Sequence, residues 1–193
     1  IKSLKFNFMP KNFFQVEGEE ILSTTLFKKK IKNPIGLAAG FDKSAEVYSS
    51  LFKLGFGFVE VGTITPKRQF GNPKPRVFRL ENDKALINRL GFNNDGIETV
   101  AKRLEKKKSD EFLGINIGPN KDTKYKVLDF LECFSKLNKF ASYITINISS
   151  PNTVGLRDFH EEKLLSELLS KLLELKKKTK NNMSDNLKAF TRH

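Results

Sequence analysis

Tryptophan is absent from this 193-residue chain, cysteine occurs once, and histidine and methionine occur twice each. The single thiol, Cys133, excludes a disulfide framework and a cysteine metal cluster. It falls on the apolar side of a predicted helix, where a lone cysteine acts as a small packing residue. His160 and His193 stand far from any carboxylate-rich spacing that would hold a metal. No Ser-His-Asp set can be assembled around His160, which reads as a surface residue. There is no G-x-G-x-x-G and no P-loop, so neither a dinucleotide fingerprint nor a phosphate cradle of those types is present. No apolar run approaches the ~20 residues of a membrane span, and no secretory signal is visible. The chain opens on Ile1, so the true amino end, with any targeting segment, is expected to lie upstream.

What is present is mostly basic. Lys and Arg number 35 against 22 acidic residues, a net charge of +13. Such an excess suits nucleic acid or an anionic membrane surface. However, much of it sits in the runs Lys28–Lys30, Lys106–Lys108 and Lys176–Lys178. The last two close predicted amphipathic helices, where lysine complements the helix dipole. The charge is therefore read as a solvated face, with no nucleic-acid partner expected. With 38% hydrophobic and 30% charged residues, the chain has the make-up of a globular domain with one sizeable core.

Residues 1–31 are weakly patterned and form an approach segment, with a short hairpin predicted near Ile21 to Ile31. A small-residue strand, 33–40, leads into a helix capped by Ser44 and running to Leu54. A strand over Phe58 to Thr65 follows, with Phe56 and Phe58 expected in the core. Next comes a basic, proline-rich loop from Pro66 to about Leu86. A loop of that length inside a compact domain is more often functional than idle. A helix from about Asp95 to Lys107, a strand Phe112 to Ile117 and a helix Tyr125 to Phe140 come next. The stretch Tyr143 to Arg157, YITINISSPNTVGLR, is the fourth strand and its loop. Leu164 to Leu173 marks a last helix, and Lys176 to His193 reads as a polar tail. The order β-α-β-α-β-α-β-α predicts a parallel sheet with right-handed crossovers. Polar or glycine residues at every strand's carboxyl end fit a (β/α)8 TIM barrel better than an open sheet. Only about the first four β/α units are present. The expected organisation is 1–31 approach segment, 32–180 first half barrel and 181–193 tail.

Several residues in this frame can carry chemistry. Ala38, Ala39 and Gly40 let a flat ligand lie against backbone, and Lys43 can reach an anion, although a plain βα turn with a surface lysine gives the same pattern. Thr63, Asn116 and Asn147 sit near strand ends, where asparagine offers a donor and an acceptor to an imide-like ligand. For each alone, a loop-anchoring hydrogen bond is the alternative. The fourth strand ends in hydroxyls and amides broken by Pro151, which is either a ligand site or an ordinary Ser-Pro-Asn turn.

Five stretches in series, NPIGLAAGFDK (33–43), VGTITPKRQFGNPKPRVFRL (61–80), INRLGFNNDG (87–96), GINIGPNKDT (114–123) and NISSPNTVGLR (147–157), resemble dihydroorotate dehydrogenase of the membrane-associated, quinone-dependent class. The resemblance covers about Lys32 to Leu173. It implies an FMN enzyme on a (β/α) barrel that oxidises dihydroorotate to orotate in pyrimidine synthesis and passes electrons to a quinone. By resemblance, Ala38, Ala39, Gly40, Thr63, Asn116 and Asn147 contact FMN. Lys43 meets the orotate carboxylate. Asn88, Arg89, Leu90, Gly91 and Phe92 line the substrate pocket, and Asn147 and Asn152 bond the pyrimidine ring. Ser150 corresponds to the base, where the soluble class has cysteine, with Thr153 as proton relay and Arg79 near the quinone tunnel. The class implies a membrane surface reached through an amino-terminal segment: the mitochondrial inner membrane in a eukaryote, the cytoplasmic membrane in a bacterium. Val154 replaces a usual proline and Leu90 a usual aromatic or polar residue. The second-half lysine and the glycine-rich loops that hold the FMN phosphate have no counterpart in this sequence. The 193-residue chain by itself is therefore expected neither to retain FMN nor to turn over. The alternatives are an inactive barrel fragment or a related FMN barrel acting on another pyrimidine.

Overall fold

The computed structural model describes residues 19–108 and 110–179. The start of the approach segment and the tail 181–193 lie outside the described residues. In chain order the elements are α1 (Glu19–Leu22), β1 (Thr24–Leu26), β2 (Lys29–Ile31), β3 (Gly36–Leu37), α2 (Tyr48–Lys53) and β4 (Phe58–Ile64). They continue with β5 (Val77–Leu80), β6 (Ala85–Asn88), α3 (Ile97–Leu104), β7 (Leu113–Ile117), α4 (Lys126–Leu137), β8 (Tyr143–Ile146) and α5 (Glu162–Thr179).

Four strands form one all-parallel sheet in the order β3-β4-β7-β8. The order follows the chain with no reversal. A doubly wound sheet would reverse after its first strands, whereas a barrel wall keeps adding on one side. The sheet is an arc of four β/α units, as expected.

Period-2 alternation sorts the two faces of this arc. Val59, Val61, Ile115, Ile144 and Ile146 are essentially fully buried and pack against the helices. The helices answer with their i, i+4 stripes: Val100 and Leu104 on α3, Phe130 and Phe134 on α4, Leu168 and Leu172 on α5. Removing Phe134 would cost about 3–5 kcal/mol by the usual large-to-small penalty. Cys133 belongs to this layer, as expected; burial drives its thiol pKa well above the ordinary range. Phe56 and Phe58 are only partly buried, packed at the margins of the core.

The opposite face carries Phe58, Glu60, Gly114, Asn116, Tyr143 and Thr145. At its amino-terminal end glycines make room for rings. A Cβ on Gly114 would lie 2.2 Å from Tyr143 Cζ, and one on Gly36 would lie 2.1 Å from Phe58 Cζ. The β1–β2 hairpin, in the predicted place, sets Phe27 against Tyr143 and Phe112 at centroid distances of 5.4 and 6.3 Å. Its two-residue turn puts Phe27 and Lys28 at φ of 51° and 64°, the geometry of a type I′ turn made without glycine or asparagine.

Three expectations are corrected. The helix capped by Ser44 is instead the shorter α2. The Ser44 hydroxyl accepts from the Asp95 N–H at 3.1 Å, while the Asp42 carboxylate accepts from the Glu46 and Val47 N–H groups at 2.8 Å each. Those bonds hold 42–47 in a non-helical turn. The basic loop from Pro66 to Leu86 contains an antiparallel hairpin, β5–β6, closed by residues 81–84. Its strands are exposed throughout, so no buried face imposed the alternation that marks a strand. Finally, α5 continues through Lys176–Lys178 to Thr179, supported by a Lys178–Glu174 i,i+4 pair at 2.7 Å.

Two outcomes follow. Gly114→Ala, which drives a methyl into the Tyr143 ring, should lower the unfolding free energy by about 1–3 kcal/mol in a denaturant titration. Cys133 should resist thiol reagents in the folded protein and react at full stoichiometry once denaturant is added.

Candidate active site

The site starts from one irregularity in β4. Val61 pairs with Ile115, but Ile64 pairs with Ile117, so β4 spends one residue more than its partner. This is a bulge at Gly62, whose φ is +114°. A Cβ there would lie 2.4 Å from the Asn116 carbonyl oxygen, so only glycine fits. The extra residue inverts the alternation. Ile64 turns to the helix layer, and Thr63 turns to the polar face.

There Thr63 Oγ1 donates to Asn116 Oδ1 at 2.6 Å, and Asn147 Nδ2 donates to Thr63 Oγ1 at 2.9 Å and to Asn116 Oδ1 at 3.2 Å. Asn147 Oδ1 accepts from the Ser149 N–H and hydroxyl at 3.2 and 3.3 Å. Asn116 is buried and Asn147 half-buried. Three residues predicted from separate strands thus form one hydrogen-bonded cluster.

The predicted small-residue segment joins it from β3. The Gly40 N–H donates to the Gly62 carbonyl at 2.9 Å, and the Gly62 N–H donates to the Asp42 carbonyl at 2.9 Å. Ala38 and Gly40 stay exposed, and a Cβ on Gly40 would meet little but Lys43 Nζ, 3.9 Å away. Lys43 Nζ donates to the Gly40 carbonyl and borders a cleft of about 340 Å³ shared with Arg68, Arg76 and Asn93. Desolvation first, then the Arg76 guanidinium, lowers the Lys43 pKa, with Asp42 opposing.

On the β8 loop, Ser150 Oγ accepts from the Asn152 N–H at 3.2 Å, and both residues are half-buried. Thr153 is 3% exposed and its hydroxyl has no hydrogen-bond partner among the described residues. His160 is exposed, as expected, and its ring bonds the Ile148 carbonyl at 3.1 Å.

The 88–92 segment is held more loosely to this centre. Phe92 reaches the end of β7 beside Gly118, and Gln69 Nε2 donates to the Gly91 carbonyl at 3.0 Å. Leu90 is half-buried, and its N–H donates to Asn88 Oδ1 at 3.4 Å. Asn88, Arg89 and Arg79 are exposed on the hairpin. Arg89 donates to the Pro75 carbonyl at 2.9 Å and lies 5.6 Å from the Phe78 centroid, so it braces the hairpin itself.

Two contributors escaped the sequence reading. Asp42 fixes the turn that presents Lys43. Glu60 accepts from Asn116 Nδ2 at 2.9 Å, Tyr143 Oη at 3.0 Å and Thr145 Oγ1 at 3.0 Å. Its signal was available: a lone acid in FVEV falls on the face opposite Val59 and Val61.

A family profile described as dihydroorotate dehydrogenase matches residues 21–183. A dihydroorotate dehydrogenase (quinone) of Bradyrhizobium sp. strain BTAi1 is 48% identical over 165 residues, 85% of this chain and 45% of the relative. One from Brucella ovis is 52% identical over 154 residues, 79% of this chain and 42% of the relative. The crystal structure of DHODH in complex with ferulenol from Eimeria tenella superposes with a TM-score of 0.86 at 37% identity, covering 98% of this chain and 56% of that one. The chain spans under half the length of the curated relatives it matches. Among the described residues no helix is long and apolar enough to cross a membrane.

The Lys43 environment is directly measurable. A pH titration of its side-chain Cε resonance should give a midpoint below the ordinary lysine value of 10.5. Arg76→Gln, which removes a neighbouring positive charge, should move that midpoint upward.

Proposed function

The chain belongs to the dihydroorotate dehydrogenase family, and from that premise we propose that its site serves the oxidation of (S)-dihydroorotate to orotate, with FMN as redox cofactor and a quinone as electron acceptor. The reading rests chiefly on the Thr63–Asn116–Asn147 cluster standing beside the bare backbone of Ala38–Gly40. Within that cluster Asn116 Oδ1 accepts from the Thr63 hydroxyl, and one Asn147 N–H is shared between Thr63 Oγ1 and Asn116 Oδ1. What is left is one N–H each on Asn116 and Asn147 and one lone pair on Thr63. A donor next to an acceptor matches the carbonyl and imide N–H of a flavin's pyrimidine edge, and Ala38, Ala39 and Gly40 offer a flat wall for the ring. The residues present therefore fit the ring side of FMN. The family resemblance assigns the phosphate to glycine-rich loops beyond the fourth β/α unit.

Bound FMN would supply the hydride acceptor. The chain's own residues do the rest. Lys43, with Arg76 adding positive potential, receives the substrate carboxylate. Asn147 and Asn152 orient the pyrimidine, while Asn88, Arg89, Leu90, Gly91 and Phe92 bound its pocket. Ser150 Oγ takes the C5 proton. A serine hydroxyl is a weak base and needs a partner that carries the proton onward. Thr153, buried and with its hydroxyl unpartnered among the described residues, is the neighbour assigned that step. Arg79, exposed on β5, takes the quinone-side role that the family resemblance gives it, and reduction of the quinone belongs at a membrane surface. Serine at position 150, where the soluble class has cysteine, favours this reading over an FMN barrel acting on another pyrimidine.

In the complete gene product Ser150→Ala should lower dihydroorotate turnover about 10²–10⁴-fold, the usual worth of a positioned base, while flavin absorbance is kept. Turnover equal to the parent would overturn the assignment of Ser150. Absence of flavin from the parent would overturn the reading as a whole.

A further inference from the structure

Glu60 lies one layer below the proposed cofactor face, on the opposite side of Asn116 from Thr63. It accepts hydrogen bonds on both carboxylate oxygens, Oε1 from Asn116 and Oε2 from Tyr143 and Thr145. Glu60 and its partners together span three strands: Glu60 is on β4 opposite Gly114, Asn116 is on β7 opposite Thr145, and Tyr143 and Thr145 are on β8. Gly114 is what lets the Tyr143 ring cross β7 to reach it.

We infer that Glu60 is a positioning residue that fixes the direction of the Asn116 amide, and through it which hydrogen-bonding groups the Thr63–Asn116–Asn147 cluster presents to a ligand. The reasoning is one of donors and acceptors. A carboxylate only accepts, so the side of Asn116 that meets Glu60 must be its nitrogen. The oxygen then faces the cluster and takes both the Thr63 hydroxyl and the Asn147 N–H. Both lone pairs of Asn116 Oδ1 are consumed, and its spare group is an N–H. With the amide reversed, Asn116 would set an N–H against the Asn147 N–H and lose that bond, and the Thr63 hydroxyl would have to turn from donor to acceptor, leaving no lone pair for a ligand. Glu60 therefore makes Asn116 a donor towards a ligand carbonyl without touching the ligand. This rests on the FMN reading above.

The test uses the complete gene product stripped of cofactor, titrated with FMN by flavin fluorescence, with thermal unfolding followed in parallel. Glu60→Met removes the acceptor and keeps an unbranched chain; it should raise the FMN dissociation constant tenfold or more. Glu60→Gln can still offer a carbonyl to Asn116, while the Tyr143 and Thr145 hydroxyls rotate to accept from its amide. It should stay within about threefold of the parent. Tyr143→Phe removes one bond to Glu60 and none to Asn116, and should lower the melting temperature while leaving FMN affinity unchanged. Three outcomes overturn the inference while leaving the FMN reading intact. They are parental FMN affinity in Glu60→Met, equal weakening in Glu60→Met and Tyr143→Phe, or a tenfold loss in Glu60→Gln. The last keeps the inference falsifiable where Glu60→Met fails to fold. A parent protein that binds no FMN overturns the reading, and the inference with it.

Discussion

The candidate site depends on how closely β4 and β7 approach at Gly62. The strand spends an extra residue there, and the Asn116 carbonyl occupies the space a side chain would need. Without the bulge, strict alternation would carry Thr63 into the helix layer with Val59 and Val61. A buried hydroxyl among aliphatic side chains has no partner, and Asn116 would lose the donor at 2.6 Å. The same glycine ties in the segment that follows β3 through bonds to Gly40 and Asp42, both 2.9 Å. One backbone irregularity thus aligns three strand ends, and a site built on strand ends is held more precisely than one built on loops.

Below that level the arc is layered. Phe58, Tyr143, Phe112 and Phe27 fill its amino-terminal end, polar groups occupy the middle, and the Thr63–Asn116–Asn147 cluster lies towards the carboxyl ends. Glu60 sits at the boundary. Glu60 is half-buried, and taking a carboxylate even partly out of water is costly unless its oxygens are hydrogen-bonded; here three donors meet them. The network is rigid because each of its members also belongs to a strand.

Much of this was legible in the sequence. The four β/α units follow from helical stripes such as Phe130, Phe134 and Leu137 and from the isoleucine alternation of β8. The strand-end polar residues Thr63, Asn116 and Asn147 stand together because parallel strands in chain order bring their carboxyl ends to one rim. Three things were hidden, each for a physical reason. A bulge leaves no mark beyond a glycine. Hairpin β5–β6 is exposed on both faces, so no burial pattern separates it from a loop. The start of α2 was set by competition: Ser44 has a capping side chain but spends it on Asp95, and Asp42 takes the amides instead. A propensity rule sees the candidate cap and not its rival partner.

The two buried side-chain oxygens without a partner among the described residues are Asn93 Oδ1 and Thr153 Oγ1. Each such atom costs about 1–3 kcal/mol relative to a bonded one, so native proteins retain few of them. Their locations are not scattered through the core. Asn93 borders the cleft of Lys43 and Arg76, and Thr153 lies three residues past Ser150 in the β8 loop. The loop holding Thr153 is otherwise well anchored: Leu156 is fully buried, its N–H bonds the Thr153 carbonyl at 3.2 Å, and Arg157 bonds the Ser149 carbonyl at 3.2 Å. Backbone that well fixed does not leave a hydroxyl unpaired through looseness. Both atoms lie on the loops to which the proposed function gives substrate binding and proton transfer, and hydrogen-bonding capacity left open in a fixed loop is capacity a bound ligand can complete.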